Sequence, residues 1–233
     1  MQRSLSLFAA LLLASPTLAV VIPNDRENVA GTATFLGPLS NAQRTYQLLI
    51  HESQLTSVVN QPLVGLMWRL PTASTAAYPT APISYTNFDI RLSGSVDPAN
   101  RSLTFANNVV GTQTLVRSGP LTVNTGAYTV NVNPPHPWGP VINFDQPYLY
   151  TGGNLLIEFR HTGFSGTSSS VDAIGTAVAP YGTGVSAAWT SSYTGTTGAQ
   201  GNAIITQLLV PEPGLAAIGF GCVALLARRQ PRR

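Results

Sequence analysis

The chain has 233 residues, only 9% of them charged, and a formal net charge of +3. All twelve cations are arginine, and five of them sit in the two ends, which leaves seven arginines against eight carboxylates over residues 20–209. A near-neutral body with scattered arginines cannot displace counterions from a phosphate backbone, which excludes a nucleic-acid binder. The single cysteine, Cys222, excludes an internal disulfide framework and a cysteine-based metal site.

The chain begins MQRSLSLFAALLLASPTLAV. Arg3 supplies a positive start, residues 5–14 an apolar run, and Pro16 a helix break. Thr17-Leu18-Ala19 then places small residues at a cleavage site. This is the anatomy of a secretory signal peptide spanning 1–19, cut after Ala19 by signal peptidase.

Residues 20–209 carry no helical period of useful length. They show short runs of apolar–polar alternation, broken by Gly, Pro, Asn and Ser. Strands are expected at 45–50, 63–70, 84–93, 112–116, 121–124, 127–132, 140–144, 154–161, 185–190 and 203–210. In the third run, Phe88, Ile90 and Leu92 fall on one face. In the eighth, Leu155, Ile157 and Phe159 oppose Leu156, Glu158 and Arg160. Short strands with turn chemistry between them predict an all-β fold, an antiparallel β-sandwich of which a jelly roll is one form. About 190 residues suffice to bury a core without disulfides. TASTAAYPTAP (72–82), SGTSSS (165–170) and TSSYTGTTGAQG (190–201) read as mobile loops or a tether.

The chain closes VPEPGLAAIGFGCVALLARRQPRR. Pro211 and Pro213 hold the segment around Glu212 extended and deny it helix hydrogen bonds. Residues 214–227 form a short apolar segment, about 21 Å long as a helix against a hydrocarbon core of about 30 Å. It serves as a membrane helix if Arg228, Arg229, Arg232 and Arg233 snorkel, and those arginines hold its end in the cytoplasm. With the signal peptide removed, the body of the chain lies outside the inner membrane.

Val210-Pro211-Glu212-Pro213, the apolar stretch and the terminal arginines together resemble the PEP-CTERM sorting tail of exported bacterial proteins. This tail also goes under the label of an ice-binding protein C-terminal domain, which describes the tail and not an activity. The resemblance covers 210–233. It implies recognition by exosortase, a membrane protease-transpeptidase, with transient anchoring in the bacterial inner membrane and delivery to the cell surface or extracellular matrix. Two departures are the Gln230-Pro231 interruption of the arginine cluster and the shortness of the apolar run. FDIRLSG, TFANNVVGTQTLVRSGPLTV and INFDQPYLYTGGNLLIEFR further resemble the ectodomains of such proteins. That resemblance implies a secreted β-sandwich of no settled activity.

The body offers little chemistry of its own. No G-x-S-x-G is present, and His51, His136 and His161 have no metal-ligand spacing, so they are expected at the surface or at strand ends. Glu52 and Glu158 are a formal glycosidase pair, although Glu158 more simply pairs with an arginine on an outward sheet face. Asp97, Asn100, Asn107 and Asn108 could offer loop oxygens to calcium, but they lack the EF-hand order and suit turns equally well. Trp68 belongs to the core. Trp138, in the loop PPHPWGP, is the candidate for stacking on a sugar, with Tyr148 or Tyr150 beside it. The Thr/Ser runs are too irregular for an ice-binding face.

The expectation is therefore a non-enzymatic exported surface or matrix protein with no catalytic, cofactor-binding or metal residues. The alternative is a carbohydrate-binding module for matrix exopolysaccharide, with a secreted glycoside hydrolase behind it.

Overall fold

β-branched and aromatic residues that alternate with polar ones give a strand one face for the core and one for its surroundings. The computed structural model describes residues 17–211. The apolar run 5–14 and the tail from Glu212 onward, with its membrane segment 214–227, lie outside the described residues. Within them the fold is all-β, made of several open antiparallel sheets joined by short 3-10 turns.

The largest sheet has six strands in the order β13 (Ala199–Gly201), β12 (Val185–Thr190), β3 (Arg44–Ile50), β10 (Leu155–His161), β6 (Phe88–Ser95), β7 (Val109–Arg117). All its ladders are antiparallel. A second sheet has the order β1 (Thr17–Ile22), β15 (Thr206–Pro211), β4 (Gln61–Met67), β9 (Ile142–Tyr150). Smaller sheets are β14 (Ala203–Ile204), β11 (Val171–Ile174), β2 (Ala33–Phe35) and the pair β5 (Ile83–Tyr85), β8 (Leu121–Val123). No helix among the described residues is long and apolar enough to cross a membrane.

The chain passes from β9 in one large sheet to β10 in the other through Thr151-Gly152-Gly153-Asn154. Gly152 and Gly153 have φ of 111° and 81°, a region side chains resist, so the tight crossing needs both glycines. Tyr150 Oη donates to the Gly153 carbonyl at 2.5 Å, and the Asn154 side chain accepts from the Glu52 amide at 2.9 Å.

One buried cluster draws on both large sheets. Leu63, Leu66 and Leu208 meet Tyr46, Ile90, Ile157 and Phe159 within it. Trp68, just past β4, lies 5.5 Å from the Phe159 ring and donates its indole N–H to Thr206 Oγ1 at 3.0 Å. Phe88, Phe159 and His161 stack nearly parallel, 5.4 to 6.1 Å apart. The expected inward set Phe88/Ile90/Leu92 and Leu155/Ile157/Phe159 is buried in this cluster.

Other expectations are corrected. Residues 127–132 form no strand: Gly126, with φ of 68°, ends a turn there, and only Tyr128 pairs, with Tyr78. The run 84–93 is two strands, because Ile83–Tyr85 pairs with β8 while Phe88–Ser95 enters the large sheet. The strand expected at 140–144 runs on to Tyr150. The stretch 190–201 is not a free tether. Its Ser192 and Tyr193 carbonyls accept from Thr45 Oγ1, its Tyr193 hydroxyl donates to Asp89, and its end is β13.

The strongest polar contact in the interior joins Arg69 to Asp172. Both are almost fully buried, with Nε to Oδ2 at 2.9 Å. The other Arg69 nitrogens donate to the carbonyls of Arg26, Glu27 and Val29, and Asp172 accepts from the Gly31 amide through both oxygens. Burial pushes the Asp172 carboxyl up, and the Gly31 amide and Arg69 pull it back. Removing one member leaves a buried charge unmatched, so Arg69→Met should cost about 3–5 kcal/mol. The double change Arg69→Met/Asp172→Asn should cost less than Arg69→Met alone while still destabilising, because three carbonyls lose their donor. Urea unfolding of the two variants checks this order.

Candidate functional site

Three places carry the expected site residues. The first is the pair of ends of the folded unit, Ala19–Val210. Ala19 is exposed in β1, and Val20, Val21 and Ile22 immediately after it are buried. At the other end Val210 is fully buried in β15 and Pro211 is exposed. Glu212, Pro213, Arg228, Arg229, Arg232 and Arg233 lie outside the described residues.

The second is Trp138. It is half-buried, and the Arg69 guanidinium sits over its ring at 4.9 Å, so a cation already occupies one face. Tyr150 is buried and cannot join it on an open platform, and Tyr148 is half-buried. Trp68 is core, and Trp189 carries the Arg44 guanidinium at 4.7 Å. The aromatic residues expected to present a stacking surface are spent largely on holding arginines and filling the interior.

The third is the set of titratable groups. Glu52 is exposed at a turn while Glu158 is buried on β10, and the two line different cavities. They do not make the shared two-carboxylate cleft of a glycosidase. The Asn108 side chain is buried, donates to Gln47 Oε1 and the Ser102 carbonyl, and accepts from the Ser102 amide. Its oxygen is therefore turned away from any ion shared with Asp97, whose own Oδ1 caps Ala99. Among the described residues no group of three or more His, Cys, Asp or Glu side chains gathers.

Two of the three histidines lie at strand ends as expected, His51 directly after β3 and His161 as the last residue of β10. His51 is half-exposed and caps the turn Glu52–Gln54: Nδ1 accepts from the Ser53 amide, with Ser53 Oγ at 2.9 Å. Asp97 Oδ2 lies 3.8 Å from Nε2, too far for the orienting bond of a nucleophile–base–acid relay. His136 and His161 are buried rather than superficial. Each ring finds a backbone donor on one nitrogen and a carbonyl on the other, which removes the penalty of burying a polar ring. For His161, Nδ1 accepts from the Gly163 amide at 3.1 Å, so the proton sits on Nε2 and is donated to the Gly37 carbonyl at 3.0 Å.

The richest polar arrangement surrounds Glu158. In register it stands opposite Gln47 on β3 and Arg91 on β6. It points away from the main core, as alternation predicts, yet it is only 2% exposed. The correction arises because segments 96–108 and 191–198 fold over this face: Gln47 Nε2 reaches the Phe105 carbonyl, Ser186 Oγ the Pro98 carbonyl, and Thr45 Oγ1 the Ser192 carbonyl. Glu158 accepts from Arg160 Nε at 2.7 Å and from Gln47 Nε2 at 2.8 Å. Gln47 Oε1 in turn accepts from Asn108 at 2.7 Å, which fixes the orientation of the amide. A cleft of about 430 Å³ opens beside this chain, between the 3-10 turn Phe105–Asn108 and β7. Gln47 and Gln113, which line it, were not singled out from the sequence. Alternation alone gives the face of Gln47, but its partners come from strands and loops distant in the chain.

Compared with known proteins, the chain matches no family model, no curated protein and no solved structure.

Burial holds His161 down to about 4 from 6.5, and nearby Arg44 adds to this while the Gly37 carbonyl opposes it. The fold thus keeps the ring neutral where the unfolded chain takes up a proton. Stability is full above pH 6.5 and falls as pH drops toward 4, by about 3 kcal/mol from this group. Urea midpoints measured between pH 7 and 4 should show that limb, and His161→Gln should flatten it.

Proposed function

We propose that this chain is a non-enzymatic, exported surface or matrix protein whose body is a β-sandwich. The four- and six-stranded sheets form its two layers, and the single buried cluster fed by both supports that arrangement. An N-terminal signal peptide takes the chain across the inner membrane, and the C-terminal tail anchors it transiently for sorting by exosortase. The observation that carries the reading is the order of Val210-Pro211-Glu212-Pro213, apolar run and terminal arginines, which begins with the last two residues of β15.

The boundaries of the folded unit support it. A cut after Ala19 falls within β1 (Thr17–Ile22) and keeps its buried residues Val20–Ile22, and Val210 at the other end is buried in β15. The body is then what is delivered, and the ends are read by other proteins.

Mass spectrometry of the protein recovered from producing cells tests this. The expected mature chain begins at Val20 and lacks Arg233, and a strain without exosortase retains Arg233. Retention of Arg233 in both strains would sink the sorting reading.

A further inference from the structure

We propose that the cleft beside Glu158 binds an uncharged sugar residue of a polysaccharide. This is independent of the export route, and it places the sugar site in a cleft that Trp138, favoured by the sequence, does not line.

The β6–β7 ladder breaks beside Ser93. The register passes from Leu92↔Thr114 to Gly94↔Val110, so Gly111, Thr112 and Gln113 stand opposite Ser93 alone. Gly111 takes φ of 72°, which a side chain would resist, and open space surrounds its missing Cβ. A bulge on an edge strand re-aims the side chains next to it. Here Gln113 lines the cleft, and its Nε2 is buried without a hydrogen-bond partner. Buried amide donors are nearly always matched, and this unmatched one belongs to a residue that lines the cleft, where a turn of the side chain offers it to an external acceptor.

The other side of the cleft is held in place. Glu158 is fixed by Arg160 and Gln47, and Gln47 by Asn108 and the Phe105 carbonyl. A carboxylate has about four lone-pair sites, and the protein fills two of those on Glu158. Acceptor capacity therefore remains on one wall and an unused amide donor on the other. Hydroxyl groups, which donate and accept at once, satisfy both. Ala106 and Val109 add an apolar stretch against which the C–H face of a sugar ring can lie. The size, about 430 Å³, falls among small-molecule sites of about 300–1,000 Å³.

Charge selects against acidic sugars. The two charged residues lining the cleft, Glu158 and Arg160, are paired at 2.7 Å, and Arg91, opposite Glu158 in register, is not among the lining residues, so the lining itself offers a ligand carboxylate no unpaired cation and Glu158 would repel it. The rim residues Ala106, Gly111 and Thr196 are exposed, so a chain of sugars can pass over the opening while one residue enters it.

The test uses the full-length chain in a zwitterionic detergent without a sugar head group. It is applied to an array of neutral gluco-, manno- and galacto-oligosaccharides together with oligouronates, followed by calorimetry on the best binder. The expected result is binding of a neutral oligosaccharide, weakened about tenfold or more by Gln113→Ala and by Glu158→Gln and unchanged by Trp138→Ala. Gln113 stands in a bulge on an edge strand and makes no side-chain bond through Nε2, so Gln113→Ala keeps the test decisive even if Glu158→Gln fails to fold. The proposal is overturned if no neutral glycan binds, if only uronates bind, if Gln113→Ala retains full affinity, or if Trp138→Ala is the change that abolishes binding.

Discussion

The ion pair between Arg69 and Asp172 organises more of this molecule than any other single contact. Arg69 follows the last residues of β4, Asp172 lies in β11, and the three carbonyls that Arg69 gathers come from the segment between β1 and β2. The backbone repeats the link: the Asp172 amide donates to the Arg69 carbonyl, and the Ile205 amide donates to the Asp172 carbonyl. Four separate stretches of chain thus converge on one charge pair. Such a pair is a poor source of net stability, since desolvation offsets much of the attraction. Its effect is on geometry: a guanidinium with its donors satisfied in a fixed fork leaves the loop 24–31 little choice of path. Trp138 follows from the same constraint, because its ring covers the guanidinium and is thereby withdrawn from sugar stacking.

A second consequence concerns the large sheet. β3 and β10 are buried almost throughout, on both faces, although the inner face alone meets the main core. An antiparallel sheet usually leaves one face to water. Here the second face is roofed by loops rich in Ser, Thr, Asn and Gly, whose carbonyls and amides need partners. The sheet supplies them from polar side chains: Thr45, Gln47, Glu158 and Asp89 bond to the roof or to each other, and Asn108 of the roof donates to Gln47. The alternation of strand residues is therefore apolar against polar, as in an exposed sheet, while both sides are dry. Beside the bulge on β7 the polar row lines a cavity.

The sequence made the strands of this sheet legible because each is long enough to show its period: Phe88/Ile90/Leu92 and Leu155/Ile157/Phe159 were read correctly from spacing. The short elements were not legible. Val171–Ile174 is buried at every residue and shows no alternation, and Ala33–Phe35 and Ala199–Gly201 are too short to carry a pattern. The loops 165–170 and 190–201 look like linkers by composition. What fixes the second of them is a set of hydrogen bonds to residues about 100 to 150 positions away, such as Tyr193 to Asp89 and Thr45 to Ser192, which composition does not encode. The same limit applies to the cleft. Glu158 was visible as an outward carboxylate, but its burial depends on a roof that only the tertiary fold reveals. Gln113 matters through a register shift that leaves no mark except Gly111.

The ends of the folded unit bear on the export reading through the same strand logic. β1 and β15 are neighbours in the four-stranded sheet, so the chain enters and leaves the fold on adjacent strands. Leu208, Leu209 and Val210 are buried in β15, and burial stops at Pro211, which is exposed. Taking Val210 into a processing enzyme would pull a core residue into water, whereas Pro211, the last residue of β15, is exposed. In the proposed route the fold itself therefore sets the limit of what is read. Val210, the first residue of the motif, belongs to the folded unit and to the four-stranded sheet, while the cleft is built on the six-stranded one.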